Sequence, residues 1–182
     1  MRPLVTRLLL IALAAAATSV GAQPAPSASQ TACGNHLLDP GETCEQCAAD
    51  CTVQPCSPAK SRSIFAVDFT PPPAPDVTVA TLRIGYRTDR LSLPGTGTAK
   101  TVQSRIKSDH GTPLSNDLDY ALRLAIVRSQ PIAAGRLMTI EFDRCAGAPA
   151  PTAADVSCEV LDCAGSTGNA EGCQCHITVV GK

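Results

Sequence analysis

The sequence predicts an all-β protein, a β-sandwich with a small N-terminal disulfide-rich module. Three observations carry this expectation. Ten cysteines fall into two separated groups, Cys33, Cys44, Cys47, Cys51 and Cys56, and then Cys145, Cys158, Cys163, Cys173 and Cys175. Between and within these groups apolar residues alternate with polar ones, the period of two that half-buried strands require. Beyond the N-terminal apolar run no segment sustains a helical period, and Pro- and Gly-containing turns separate the alternating runs.

Arg2 and Arg7, the apolar run Leu8 to Ala17 and the small residues up to Ala22 have the organisation of a signal peptide over residues 1–22, cleaved near Ala22. The run is too short for a bilayer core of about 30 Å, and no other stretch is apolar enough to span one. The expected product is secreted, extracellular or periplasmic, without membrane insertion. It has no cysteine near the cleavage point for a lipid anchor. Residues 23–31 are Pro-, Ser- and Ala-rich and read as a flexible leader. A slight acidic excess remains after cleavage, with no Lys/Arg cluster, so no nucleic-acid footprint is expected.

Residues 32–58 form the first cysteine group. Apart from Leu37, Leu38 and Val53 they offer almost no large apolar side chain, so bridges must hold them. Two odd groups leave two options, one bridge between the groups or a free thiol in each. Ser57 to Ser63 reads as a second spacer. Strand signals follow: Phe65, Val67 and Phe69, ended by the proline run from Pro71; then Leu82, Ile84 and Tyr86; a weaker set at Val102 and Ile106; Tyr120, Leu122, Leu124 and Ile126; Met138, Ile140 and Phe142; Val156, Cys158 and Val160; and Cys175, Ile177 and Val179. Seven or eight short strands at this spacing indicate a sandwich over residues 62–182.

The run CGNHLLDPGETCEQCAADC, Cys33 to Cys51, resembles a short repeat of secreted bacterial proteins, C-G-N/D-G-x-x-x-P-G-E-x-C-x-x-C-P-x-D-C. His36 stands where that repeat has Gly and Ala48 where it has Pro, so the first turn is expected to differ if Gly is there for a positive φ. The resemblance implies an extracellular accessory module. The runs ATLRIGYRTDRLSLPG and DLDYALRLAIVRSQPIAAGRLMTIEFDRC are similar to the cohesin-type domain. That likeness implies a cohesin-like jelly-roll or immunoglobulin-like sandwich related to carbohydrate-binding modules and used for non-catalytic attachment. The cysteine-bearing ending DRCAGAPAPTAADVSCEV is not part of the standard cohesin pattern.

Each candidate chemistry has a plainer reading beside it. His36, His110 and His176 lie in different segments, none beside a recognisable nucleophile motif, so no catalytic residue is assigned and no enzyme is expected. Cys173 and Cys175 are spaced too closely for a zinc pair and are expected in separate disulfides. The preferred bridge is Cys163 to Cys173, with Cys145 then bonding Cys158 or Cys175. No cofactor is called for. Calcium is the one ion left open, through Asp39, Glu42 and Asp50, with Glu45 nearby, although their spacing matches no recognised calcium loop. Asp117 and Asp119 read as a charged approach to a strand. Three Phe, two Tyr and no Trp are all assigned to the core, which leaves no stacking platform for a sugar. Arg83, Arg87, Arg90, Arg105, Arg123 and Arg128 face outward, as an ordinary surface or a docking face for carboxylates. The expected function is attachment to an extracellular protein partner, with polysaccharide binding through loops as the alternative.

Overall fold

The computed structural model describes residues 33–73 and 76–181. The expected signal peptide and leader lie outside the described residues. Ten antiparallel strands form two five-stranded sheets: β1 (Pro58–Thr70), β2 (Val77–Tyr86), β3 (Leu91–Ser92), β4 (Ile106–Lys107), β5 (Leu114–Asp117), β6 (Ala121–Val127), β7 (Gly135–Cys145), β8 (Val156–Gly165), β9 (Gly168–Asn169) and β10 (Gln174–Gly181). Sheet A runs β10-β1-β7-β3, with β4 also on β7, and sheet B runs β5-β6-β2-β8-β9.

The alternating residues do what their period requires. Phe65, Val67, Phe69, Ile140 and Phe142 of sheet A face Leu82, Ile84, Leu122, Leu124 and Ile126 of sheet B in one apolar core. Phe142 packs edge-on to Phe65, with ring centroids 5.8 Å apart, and tilted against Tyr86 at 5.0 Å. Such contacts add to the area term of about 25 cal/mol per Å² that closes the two sheets.

The structure departs from the sequence reading in four places. The expected spacer Ser57 to Ser63 is largely the first half of β1, paired to β7 with Arg62 opposite Asp143. Lys60, Ser61 and Arg62 follow one another as exposed polar residues, so no period shows before the buried Ser63. The weak strand expected from Val102 to Ile106 is one helical turn, Lys100–Gln103, followed by the two-residue β4; Val102 and Ile106 are both buried, but at a helical spacing of four. Tyr120 is half-buried in the bend before β6 and not a fully buried strand residue. Leu118 N–H donates to the Ala121 carbonyl across that bend, so the alternation begins only at Leu122. Finally, Cys145 bonds neither Cys158 nor Cys175.

All ten cysteines are paired: Cys33–Cys47, Cys44–Cys51, Cys56–Cys145, Cys158–Cys175 and Cys163–Cys173. The expected bridge Cys163–Cys173 is present, and Cys173 and Cys175 serve separate bridges. Cys145 instead takes Cys56, because the pairing of Pro58 with Cys145 brings the start of β1 beside the end of β7. This bridge joins the two cysteine groups and leaves no free thiol. Five disulfides place the folded chain in an oxidising, extracytoplasmic setting, and no helix among the described residues is long and apolar enough to cross a membrane.

The cysteine-rich segment lies against the outer face of sheet B. The Ser157 hydroxyl donates to the Leu38 carbonyl at 2.7 Å, Gly41 N–H donates to Glu159, and the Arg83 guanidinium donates to the Asp39 and Glu42 carbonyls. Gly85 lets the two backbones meet, since a Cβ there would overlap the Leu38 carbonyl oxygen and the Ser157 hydroxyl.

Candidate functional site

Register decides which polar residues end up inside. In β5, Leu114 and Asn116 point out while Ser115 and Asp117 point between the sheets. Asp117 is therefore 4 % exposed, and it is not the solvated strand approach expected from the sequence. Asp117 Oδ1 accepts the Tyr86 hydroxyl at 2.8 Å and the Asp119 N–H at 3.1 Å. Oδ2 receives no hydrogen bond among the described residues. Burial pushes the Asp117 carboxyl up to about 6, against the opposing pull of the Tyr86 hydrogen bond. Burial, with Asp117 beside it, drives the Tyr86 phenol upward as well.

This pair lines a cavity of about 280 Å³ at the end of the sandwich. One wall is the stretch Val53 to Cys56, held by the Cys56–Cys145 bridge and by Gln54 N–H donating to the Thr88 hydroxyl at 2.9 Å. The opposite wall is Leu91, Ser92 and Leu93 with Gly95. The Ser92 hydroxyl is buried without a hydrogen-bond partner on the face of β3 that it shares with Asp143 across the ladder. Asp119, in the bend after β5, stands at the rim in the left-handed conformation with φ 69°. No Lys, Arg or His belongs to the lining.

The calcium candidates have other tasks. Asp50 accepts N–H groups from Gly34 and His36, at 2.8 to 3.0 Å, and so organises the first turn of the module. Glu42 accepts the Asp39 N–H, and Asp39 accepts the Asn35 amide. Glu42 and Asp50 do approach Cys33 and Cys47, but the two sulfurs are spent on each other as a disulfide. Glu45 is exposed and does not join that group.

The histidines stay apart. His110 Nδ1 meets Arg128 at 2.9 Å and Nε2 meets the Arg136 carbonyl at 3.1 Å, which fixes the proton on Nε2. His176 lies 3.7 Å from Asp68 on the surface, and His36 sits in the module at φ 63°. Most of the outward arginines are already paired. Arg83 meets Glu159, Arg87 meets Asp89, Arg90 meets Asp155, Arg105 meets Asp143 and Arg128 meets His110. Arg123 is exposed and makes no ion pair among the described residues.

The half of sheet B's outer face that the module leaves open is apolar. Leu114 pairs with Ala125, which pairs with Thr81; the next row holds Val79 and Val127, and Leu161 lies at the bulge of β8 opposite Thr81. Leu114, Val127 and Leu161 are 72 %, 71 % and 42 % exposed. Neither this face nor the Asp117 cavity was read from the sequence. The face needed the strand order, and the cavity needed the unread strand β5. No protein-family model, no curated protein and no solved structure gives a significant match to this chain.

Proposed function

We propose that this is a secreted or cell-surface, non-catalytic accessory protein whose cohesin-like sandwich attaches to an extracellular protein partner through the open half of sheet B. The observation that carries this reading is the clustering of Leu114, Val127 and Leu161 on one flat sheet face, beside the exposed Arg123. Apolar side chains gathered on one face of a soluble fold lose free energy to water that a partner surface recovers, and an unpaired arginine supplies directional contact to a partner carboxylate. The disulfide frame supports the extracellular setting, and the module's cover over the other half of the same face confines docking to one region.

The ring distribution favours a protein over a glycan. Phe65, Phe69 and Phe142 are 0 % exposed and Tyr86 is 2 % exposed, so Tyr120 is the one ring with appreciable access, and a single ring makes no coplanar platform. The test is affinity capture with crosslinking from the source's extracellular fraction, with the Leu114→Asp/Val127→Asp variant alongside and a glycan array as the comparator. A defined partner crosslinked at sheet B by the parent and lost at least tenfold by the variant supports the reading. Capture that survives the variant, or specific glycan binding without protein capture, overturns it. Self-association through the same face, seen as a dimer that the variant abolishes, replaces the partner with a second copy.

A further inference from the structure

We propose that the cleft between Val53–Cys56 and Leu91–Leu93 is a binding site for a primary alkylammonium group, such as a lysine side chain or a free diamine. This site lies at the Tyr86 end of β2, away from the open apolar half of sheet B, and does not rest on the attachment reading.

The argument starts from the floor of the cleft. Asp117 is buried with one oxygen unpartnered, and the Tyr86 hydroxyl, having donated to Asp117, keeps its lone pairs free to accept. Two acceptor groups therefore meet in one small cavity, with Asp119 adding a second carboxylate at its rim. Two hydrogen bonds to Oδ1 offset only part of the cost of burying this carboxylate, and a cation would offset the rest, yet the lining supplies none. An ammonium head brings three donors and no acceptor, which complements this floor. Val53, Pro55, Leu91 and Leu93 provide apolar walls for a methylene stem. At about 280 Å³ the cavity falls just below the range of drug-sized sites, roughly 300–1,000 Å³, and suits a slender chain over a ring system. Anions meet two carboxylates and no cation there.

The groups that set the pH response are Asp117 on β5, Asp119 in the following bend and Tyr86 on β2. The amine stays protonated up to about pH 10, so the dependence below pH 7 belongs to the carboxylates. The Asp117 carboxyl, held near 6 by burial, must be ionised to bind, and affinity should fall about tenfold from pH 7 to pH 5.

The test is an NMR titration of the oxidised, full-length mature protein with Nα-acetyl-lysine N-methylamide, with cadaverine as a second arm and the Nε-acetylated lysine amide as the neutral comparator. Expected are shifts of the Asp119, Gly95 and Gln54 amides, an affinity at least tenfold above that of the comparator, the stated loss by pH 5, and at least a tenfold loss in Asp117→Asn. Tighter binding of the lysine amide assigns the site to a partner's lysine, and tighter binding of cadaverine assigns it to a free diamine. Equal binding of the comparator, pH-independent binding, or shifts confined elsewhere overturns the proposal. Should Asp117→Asn fail to fold, the pH profile and the neutral comparator on the parent protein decide the matter alone.

Discussion

Asp117 ties the stability of the fold to pH through its burial. Burial raises its carboxyl in the folded state to about 6, above the ordinary carboxylate value, so between those two values the folded state holds more protons than the unfolded one. Stability from this group is therefore full at low pH and is lost as pH rises through the folded value. Replacing the carboxylate by an isosteric amide keeps the acceptor for Tyr86 and Asp119 while removing the buried charge. Asp117→Asn should thus gain on the order of 2 kcal/mol at pH 7.5 and nothing at pH 3.5, measured by urea denaturation at both values. A variant less stable than the parent at pH 7.5 would mean that the carboxylate is compensated in the folded state. Glu141 has the opposite sign, because the Arg62 hydrogen bond holds its carboxyl below the usual range, so any stability it lends is present at neutral pH and lost in acid. At the same scale, His36 keeps a positive φ where the resembling repeat has glycine; the first turn holds its left-handed geometry with a side chain in place, supported by Asp50 accepting the His36 N–H.

The long strands were legible because each has one face wholly inside: the alternations of Phe65–Phe69, Leu82–Tyr86, Leu122–Ile126 and Met138–Phe142 all lie in the core. β3, β4 and β9 are two residues long, too short for any period, and β5 alternates Leu-Ser-Asn-Asp with its apolar residue outward. Hydrophobic pattern therefore pointed the wrong way at the strand that supplies Asp117. The half of β1 before Ser63 was illegible for a related reason, since its order comes from pairing with β7 and from Arg62 between Glu141 and Asp143. Glycine hid the docking of the module in the same manner. Gly85 looks like a weak point in an alternating strand, yet the Leu38 carbonyl passes over it, and a Cβ would collide with backbone. Gly85→Ala should therefore cost about 1–3 kcal/mol and loosen the module without unravelling the sheets. Faster amide exchange at Leu37 and Gly41, with sheet B protection intact, is the expected readout. Unchanged exchange would show that the module does not depend on this approach.

At the scale of the whole molecule, four of the five bridges close short loops within one cysteine group, with separations of 14, 7, 17 and 10 residues. Cys56–Cys145 alone joins the two cysteine groups, with a separation of 89, and no other bridge subdivides that loop. If disulfides act mainly by restricting the unfolded chain, this bridge should stabilise by about 4–5 kcal/mol, against about 2–3 kcal/mol for Cys163–Cys173. Its native surroundings point the same way. The bridge begins β1, sits at the end of β7 and holds the Val53–Cys56 wall of the cavity. Comparing Cys56→Ala/Cys145→Ala with Cys163→Ala/Cys173→Ala by guanidinium denaturation should give the larger loss for the first pair, with the fold retained below the transition. An equal or smaller loss would mean that closing the long loop adds nothing beyond what the apolar core and the Cys158–Cys175 bridge between the sheets already supply. The bridge that resolves the two odd cysteine groups would then only decorate a sandwich already closed by Phe65, Phe142 and their neighbours.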